Sequence, residues 1–284
     1  MHNDANRLGL PADLKLLQRR QLLRLTAGAG VATLLACRSD TPGSDGTTPS
    51  STSTSTSTST STSSSTSAST DINPTGDRSC PSIPAETAGP YPGDGSNGAN
   101  ALALAGILRS DIRSSVADAN GTAQGITLTI TLTIVDSSCT PLANHAVYIW
   151  HCDRAADYSM YTGSATAENY LRGVQVTDSD GKVSFTSIFP GCYPGRWPHV
   201  HFEVYPSLAA TDDADNKLRT SQFAFPKAAC ELVFATAGYE DSLPNLAKLT
   251  LASDSVFSDG FDQQLAELSG SVETSYTATL TIAV

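Results

Sequence analysis

Residues 126–135 read ITLTITLTIV, with threonine alternating with isoleucine or leucine. In an extended chain this alternation puts all apolar side chains on one face, the pattern of a half-buried strand. Runs of similar character lie at 145–152, 171–177, 182–189, 199–205, 219–225 and 276–284. Turn chemistry separates them. Asp178-Ser179-Asp180-Gly181 predicts a hairpin between two of the runs, and Pro190-Gly191 and Tyr193-Pro194-Gly195 predict a tight irregular loop. Helical periodicity is confined to 99–110 and 259–268. The expected fold class is all-β: an antiparallel β-sandwich with long active-site loops and few short helices.

The first eighty residues follow a different pattern. Arg19 and Arg20 precede a small and apolar run over 25–36, too short to span a bilayer as a mature helix. The run ends Leu34-Leu35-Ala36-Cys37, which resembles a bacterial lipobox whose cysteine is acylated. Residues 1–36 are therefore expected to be a twin-arginine lipoprotein signal peptide, with Cys37 the lipidation site and the membrane reached through that anchor. That export route carries proteins already folded around a cofactor. The alternative is a buried core helix, but the tract that follows offers it no core. From 47 to 70 the chain is serine and threonine, broken only by Pro49 and Ala68. Such a tract cannot offset its ordering entropy, so 37–79 is expected to be a disordered tether with a reach of roughly 35 Å. The expected location is extracytoplasmic, periplasmic or cell-surface.

This leaves 80–284 as one folded unit of ordinary domain length. It carries 10 Lys and Arg against 22 Asp and Glu, a formal charge of −12. That balance argues against nucleic acid or anionic lipid as partners and disfavours a strongly anionic substrate. Beyond Cys37 there are five cysteines, Cys80, Cys139, Cys152, Cys192 and Cys230, compatible with one or two disulfides in an oxidising compartment. No C-x-x-C or Cys–His spacing suggests zinc.

The densest chemistry lies in 190–202, PGCYPGRWPHVHF. His199 and His201 are two apart on an expected strand, so both imidazoles point to one face and reach one metal. Taken alone, such a pair is more often a hairpin edge. Tyr193 lies six residues before His201's partner His199, Arg196 lies three before it, and Tyr158 follows the strand ending near Cys152. Phenolates are hard anionic donors suited to ferric iron. Two phenolates, two neutral imidazoles and a hydroxide neutralise Fe(III), which matters where uncompensated charge is costly. His145, His151, Tyr161, Tyr170 and Tyr205 read as structural, and Trp150 and Trp197 as core or pocket wall.

These stretches, with 153–161 (DRAADYSMY), Leu171-Arg172-Gly173 and Thr177-Asp178-Ser179-Asp180-Gly181, resemble the intradiol ring-cleavage dioxygenases, the family of the catechol 1,2- and protocatechuate 3,4-dioxygenases. The similarity extends over 80–284 and is nearest to secreted single-domain members. The resemblance implies non-haem Fe(III) held by Tyr158, Tyr193, His199 and His201, and a catechol and O2 as substrates. It gives Arg196, Tyr193 and Gln222 catalytic roles, and places Gly89, Pro90, Tyr91, Arg196 and Gln222 against the substrate. Two departures stand out. Ala156 occupies a position where glycine is usual, there for a special φ. Cys192 stands where tryptophan is frequent, and either shapes the pocket or pairs with Cys230.

Two other classes fit parts of the chain. A non-catalytic surface-tethered β-sandwich that binds glycan or aromatic polymer accounts for the sandwich and tether, as does a structural or adhesive lipoprotein. Neither gives a reason for two tyrosines and two histidines at these spacings.

Overall fold

The computed structural model describes residues 79–284. The expected signal peptide, Cys37 and all but the end of the expected tether lie outside the described residues. Eight strands form two four-stranded sheets. The first is ordered β4-β1-β8-β7, from β1 (Thr127–Val135), β4 (Lys182–Ile188), β7 (Glu267–Ser271) and β8 (Ser275–Ala283). The second is ordered β3-β2-β5-β6, from β2 (Ala146–Trp150), β3 (Arg172–Val176), β5 (His199–Tyr205) and β6 (Arg219–Ala224). All pairs are antiparallel except β1 with β8, which is parallel.

The threonine alternation of β1 does what its period requires. Leu128, Ile130, Leu132 and Ile134 are buried between the sheets, and the threonines are half-buried on the other face. Opposite them stand Val147 and Ile149 of β2 and Val200, Phe202 and Val204 of β5. Unlike β1, strand β5 is buried on both faces. Its outward residues, like Tyr148 and Trp150 of β2, lie under a cover of loops that includes Ala101, Ile107 and Tyr158. That covered outer face holds the site.

Four local expectations change. Asp178–Gly181 does form a tight turn, with Asp178 Oδ1 accepting from the Asp180 and Lys182 amides at 2.9 and 2.8 Å. It crosses from one sheet to the other, however, so β3 and β4 are not a paired hairpin. Residues 99–110 form turns, not a helix, and 259–268 ends by entering β7. Among the described residues the α-helices are instead α1 (Lys227–Phe234) and α2 (Ser242–Leu246). The disulfide joins Cys80 to Cys139, tying the first described residues to the turn after β1. Cys192 and Cys230 are free buried thiols, as is Cys152, so no Cys192–Cys230 bond exists.

Candidate metal centre and active site

Register brings the site together. Trp150 of β2, His201 of β5 and Gln222 of β6 are consecutive partners across the second sheet. Because alternate residues share a face, His199 sits beside His201, with Val200 between them turned into the core. The indole of Trp150 stacks on the His201 ring at 4.8 Å and 8°, fixing the plane of that ring. His199 Nδ1 faces the Trp197 carbonyl at 2.5 Å, so it carries the proton and turns the Nε2 lone pair inward.

Tyr158 and Tyr193 arrive on loops. Tyr158 is flanked by two residues in left-handed conformation, Ala156 and Met160, each with φ of 70°. Asp153 closes this loop through its Oδ1, which accepts from the amides of Ala155 and Asp157 at 2.9 and 3.0 Å. Gly191 lets the Tyr193 loop touch the Tyr158 loop, since a Cβ there would lie 2.8 to 3.0 Å from backbone atoms of Arg154, Asp153 and Ala156. Helix α2 fixes the Tyr193 loop from the other side. Ser242 Oγ accepts from the Cys192 amide at 2.9 Å, and Asn245 Nδ2 donates to the Cys192 carbonyl at 2.8 Å.

The four donor atoms converge. Tyr158 Oη is 3.4 Å from Tyr193 Oη, 3.4 Å from His199 Nε2 and 3.3 Å from His201 Nε2. His199 Nε2 is 3.1 Å from both Tyr193 Oη and His201 Nε2. Five separations among these four atoms thus lie between 3.1 and 3.4 Å, close enough for one ion to be shared among them. Among the described residues no three His, Cys, Asp or Glu side chains gather for a metal. The convergence depends on the two phenols.

Electrostatics favour neutral ligand atoms. Burial, reinforced by Arg196 for His199 and by His199 for His201, holds both imidazoles well below their usual pKa. Burial likewise pushes both phenols up, Tyr158 further through the neighbouring Tyr193. Two imidazole nitrogens and two phenol oxygens thus face one buried centre, where a cation would be balanced by ionising the two phenols. A multivalent cation fits that donor set.

Arg196 stands beside the donors. Burial alone would lower its pKa, but Tyr193 and the Asp254 carboxylate raise it. Its Nε donates to Asp254 Oδ2 at 3.0 Å and its Nη2 to Gln222 Oε1 at 2.6 Å. Gln222 Nε2 in turn donates to the Thr87 carbonyl at 2.9 Å, linking β6 to the segment that enters the site. In that segment Gly89 approaches closely enough for a Cβ to lie 3.5 Å from His201 Cε1. The ring of Tyr91 packs 5.1 Å from Tyr158. Pro90 is exposed, and its carbonyl accepts from Asn97 Nδ2 at 2.9 Å. A cavity of about 220 Å³ opens among Tyr91, Ala156, Asp157, Tyr158, Thr162 and Tyr193.

Two residues essential to this geometry escaped sequence reading. Asp254, wholly buried, accepts from Arg196 and the Trp197 amide, yet it comes from a loop with no distinguishing pattern. Arg172 was noted only within a motif. Its guanidinium, also buried, donates to the carbonyls of Tyr91, Pro92 and Ser159, to Ser159 Oγ and to Tyr148 Oη. It therefore joins the entry segment to the loop of Tyr158. The residues set aside as structural have structural contacts. His151 bridges the Cys152 carbonyl and Ser187 Oγ at 2.7 Å each, and the hydroxyls of Tyr161, Tyr170 and Tyr205 donate to Asn97, Asp153 and Glu203.

Comparison with known proteins agrees with the fold. A family model described as "Dioxygenase" matches residues 108–212. The catechol 1,2-dioxygenase 2 of Acinetobacter lwoffii is 42% identical over 53 residues, a match that spans only 19% of that relative and 19% of this chain. Among solved structures, the intradiol ring-cleavage dioxygenase of Tetranychus urticae aligns with a TM-score of 0.51 at 27% identity, covering 62% of this chain and 86% of that one. A two-sheet sandwich with a loop-covered site on its outer face thus defines the class of protein. Over residues 108–212 and in its two-sheet fold the chain is similar to the intradiol ring-cleavage dioxygenases.

Proposed function

We propose that the protein is an Fe(III)-dependent enzyme that cleaves a catechol-type ring between its two hydroxylated carbons, using O2 and giving a cis,cis-muconate-type product. The observation that carries this reading is the convergence of Tyr158 Oη, Tyr193 Oη, His199 Nε2 and His201 Nε2, with Tyr158 Oη and His199 Nε2 each 3.1 to 3.4 Å from the other three atoms. These four atoms would hold the metal. Bound iron would act as a Lewis acid and template, lowering the pKa of a chelating catechol and drawing electron density from its ring.

The protein's own groups then have definite tasks. Tyr193 is partly exposed where Tyr158 is buried, so its oxygen is the one able to swing away and take a proton from a catechol hydroxyl. Burial makes this phenolate a strong base once formed. Arg196, held by Asp254 and Gln222, fixes a permanent positive charge beside the deprotonated oxygens and the negative charge that grows on the ring. Tyr91 and Gly89 pack against the site on the side of Tyr158 and His201.

Arg19-Arg20 and the Leu34-Leu35-Ala36-Cys37 sequence support a second part of this reading, that the domain is exported folded and tethered by lipid at Cys37. The test of the enzyme reading is optical and chemical. Iron-loaded protein should be red-brown through tyrosinate-to-iron charge transfer. Added catechol should shift the band, consume one O2 per ring and give the ultraviolet absorbance of a muconate. Iron-loaded protein without a visible band would refute the site as drawn.

A further inference from the structure

The cavity beside the two tyrosines is walled by three aromatic rings, Ala156, Thr162 and one charged side chain, Asp157. This carboxylate is pinned. Thr162 Oγ1 donates to its Oδ1 at 3.1 Å and the Ser164 amide to its Oδ2 at 3.3 Å. Gly163, with φ of 50°, lies so close that a Cβ there would fall 2.0 Å from Oδ2. Thr162 completes the link by accepting from the Tyr158 amide at 2.8 Å, so the negative charge is fixed relative to Tyr158.

No cation among the neighbouring residues is available to offset it. Arg196 is committed to Asp254 and Gln222. Arg172 directs its donors to carbonyls and hydroxyls and lies over the ring of Tyr161, 5.3 Å from its centre. The Arg154 guanidinium packs against Gly238, within 2.6 to 2.8 Å of where a Cβ would lie there. The volume, about 220 Å³, is below that of most ligand pockets, roughly 300 to 1,000 Å³, and suits a single ring with a small substituent.

Resting on the functional reading above, we infer that Asp157 sets the charge class of the substrate: a single-ring catechol whose substituent is neutral or cationic, with ring carboxylates excluded. Like charges brought together in a site with few compensating donors oppose binding, and a fixed anion attracts a cationic substituent.

The test uses the full-length, iron-loaded protein and three catechols of similar size: 4-methylcatechol, 3,4-dihydroxybenzoate and dopamine. Binding is read without O2 from the shift of the visible band, and turnover from oxygen uptake. The wild type should favour 4-methylcatechol over the benzoate by about tenfold or more in both Kd and kcat/KM. Asp157→Asn keeps an acceptor for Thr162 and should narrow that ratio about tenfold while weakening dopamine relative to 4-methylcatechol. The wild-type panel stands even where the variant folds poorly. A wild type that handles the benzoate as well as 4-methylcatechol, or an Asp157→Asn protein in which all three ratios stay unchanged, overturns the inference and leaves the enzyme reading intact. Failure of the wild type to bind or cleave any of the three overturns both.

Discussion

Asp254→Asn isolates the support of Arg196 from the four converging tyrosines and histidines. The carboxylate is fully buried and each oxygen serves two donors. Oδ2 accepts from Arg196 Nε at 3.0 Å and the Trp197 amide at 2.6 Å, and Oδ1 from the Val256 and Phe257 amides at 2.8 and 3.3 Å. An asparagine keeps one of these oxygens and presents an NH2 group to two N–H donors at the other. Two hydrogen bonds to a charged acceptor are lost, at about 1.5 to 3 kcal/mol each. Viewed instead as breaking a buried ion pair, the change costs about 3 to 5 kcal/mol. The two views count the same interaction and do not add. The Arg196 side chain is 16% exposed and keeps Gln222, which favours the low end, about 3 kcal/mol. Urea unfolding of the iron-free protein measures it directly, with Asp259→Asn, at an exposed position, as a control expected within about 0.5 kcal/mol of wild type. Freed from its anchor, Arg196 should also lose its fixed aim, lowering kcat by up to about 10²-fold. A loss of stability below about 1 kcal/mol, with kcat intact, would show that Asp254 does not hold Arg196.

Three further outcomes follow from the geometry. Tyr158→Phe should abolish or strongly weaken the visible band of iron-loaded protein, whereas Tyr161→Phe, whose hydroxyl donates to Asn97 Oδ1 at 2.8 Å, should leave it in place. Burial lowers the pKa of His151 to about 4, so the native protein keeps it neutral while the unfolded chain protonates it below about pH 6.5. Its contribution is therefore complete above that pH and declines by about 3 kcal/mol as the pH falls to about 4, a slope that His151→Gln should flatten in urea titrations. Ala156→Gly relieves a φ of 70° and should raise stability by about 1 kcal/mol in thermal unfolding, the left-handed penalty less the extra entropy of glycine.

Seven of the eight strands were legible from alternation, as in β1, from a dense apolar run, as in β2, or from a few apolar residues between turn signals, as in β6. Strand β7, ELSGS, has neither: it is an exposed edge strand interrupted by Gly270, whose φ is 107°. The alanines and leucines of 99–110 suggest a helix by intrinsic propensity, but the segment must lie across the outer face of the second sheet. Ala101 and Ile107 are buried there, and Gly106 turns the chain at φ 89°. Turn chemistry behaves similarly. The Asp178 side chain specifies a reversal of direction through bonds a few residues long, and nothing that local encodes which sheet receives the returning strand.

The site divides along the same line. His199, Tyr193 and Arg196 lie within seven residues, and strand alternation alone puts His199 and His201 on one face. The groups that hold those residues in place come from far along the chain. Asp254 lies 58 residues from Arg196, Arg172 bonds to the carbonyl of Tyr91 81 residues away, and Gln222 to that of Thr87 at a separation of 135. Asp157 is an intermediate case, adjacent to Tyr158 and yet silent until the fold shows that it lines the cavity. The chemistry that the site can perform is thus concentrated in short motifs, where the identity of a donor atom matters. Selectivity among substrates depends on wall residues such as Asp157, and rigidity on long-range contacts, so both emerge only when the loops are closed over the sheet. Chains with the same four ligands are therefore expected to differ in substrate charge preference wherever the residue before the first tyrosine ligand differs.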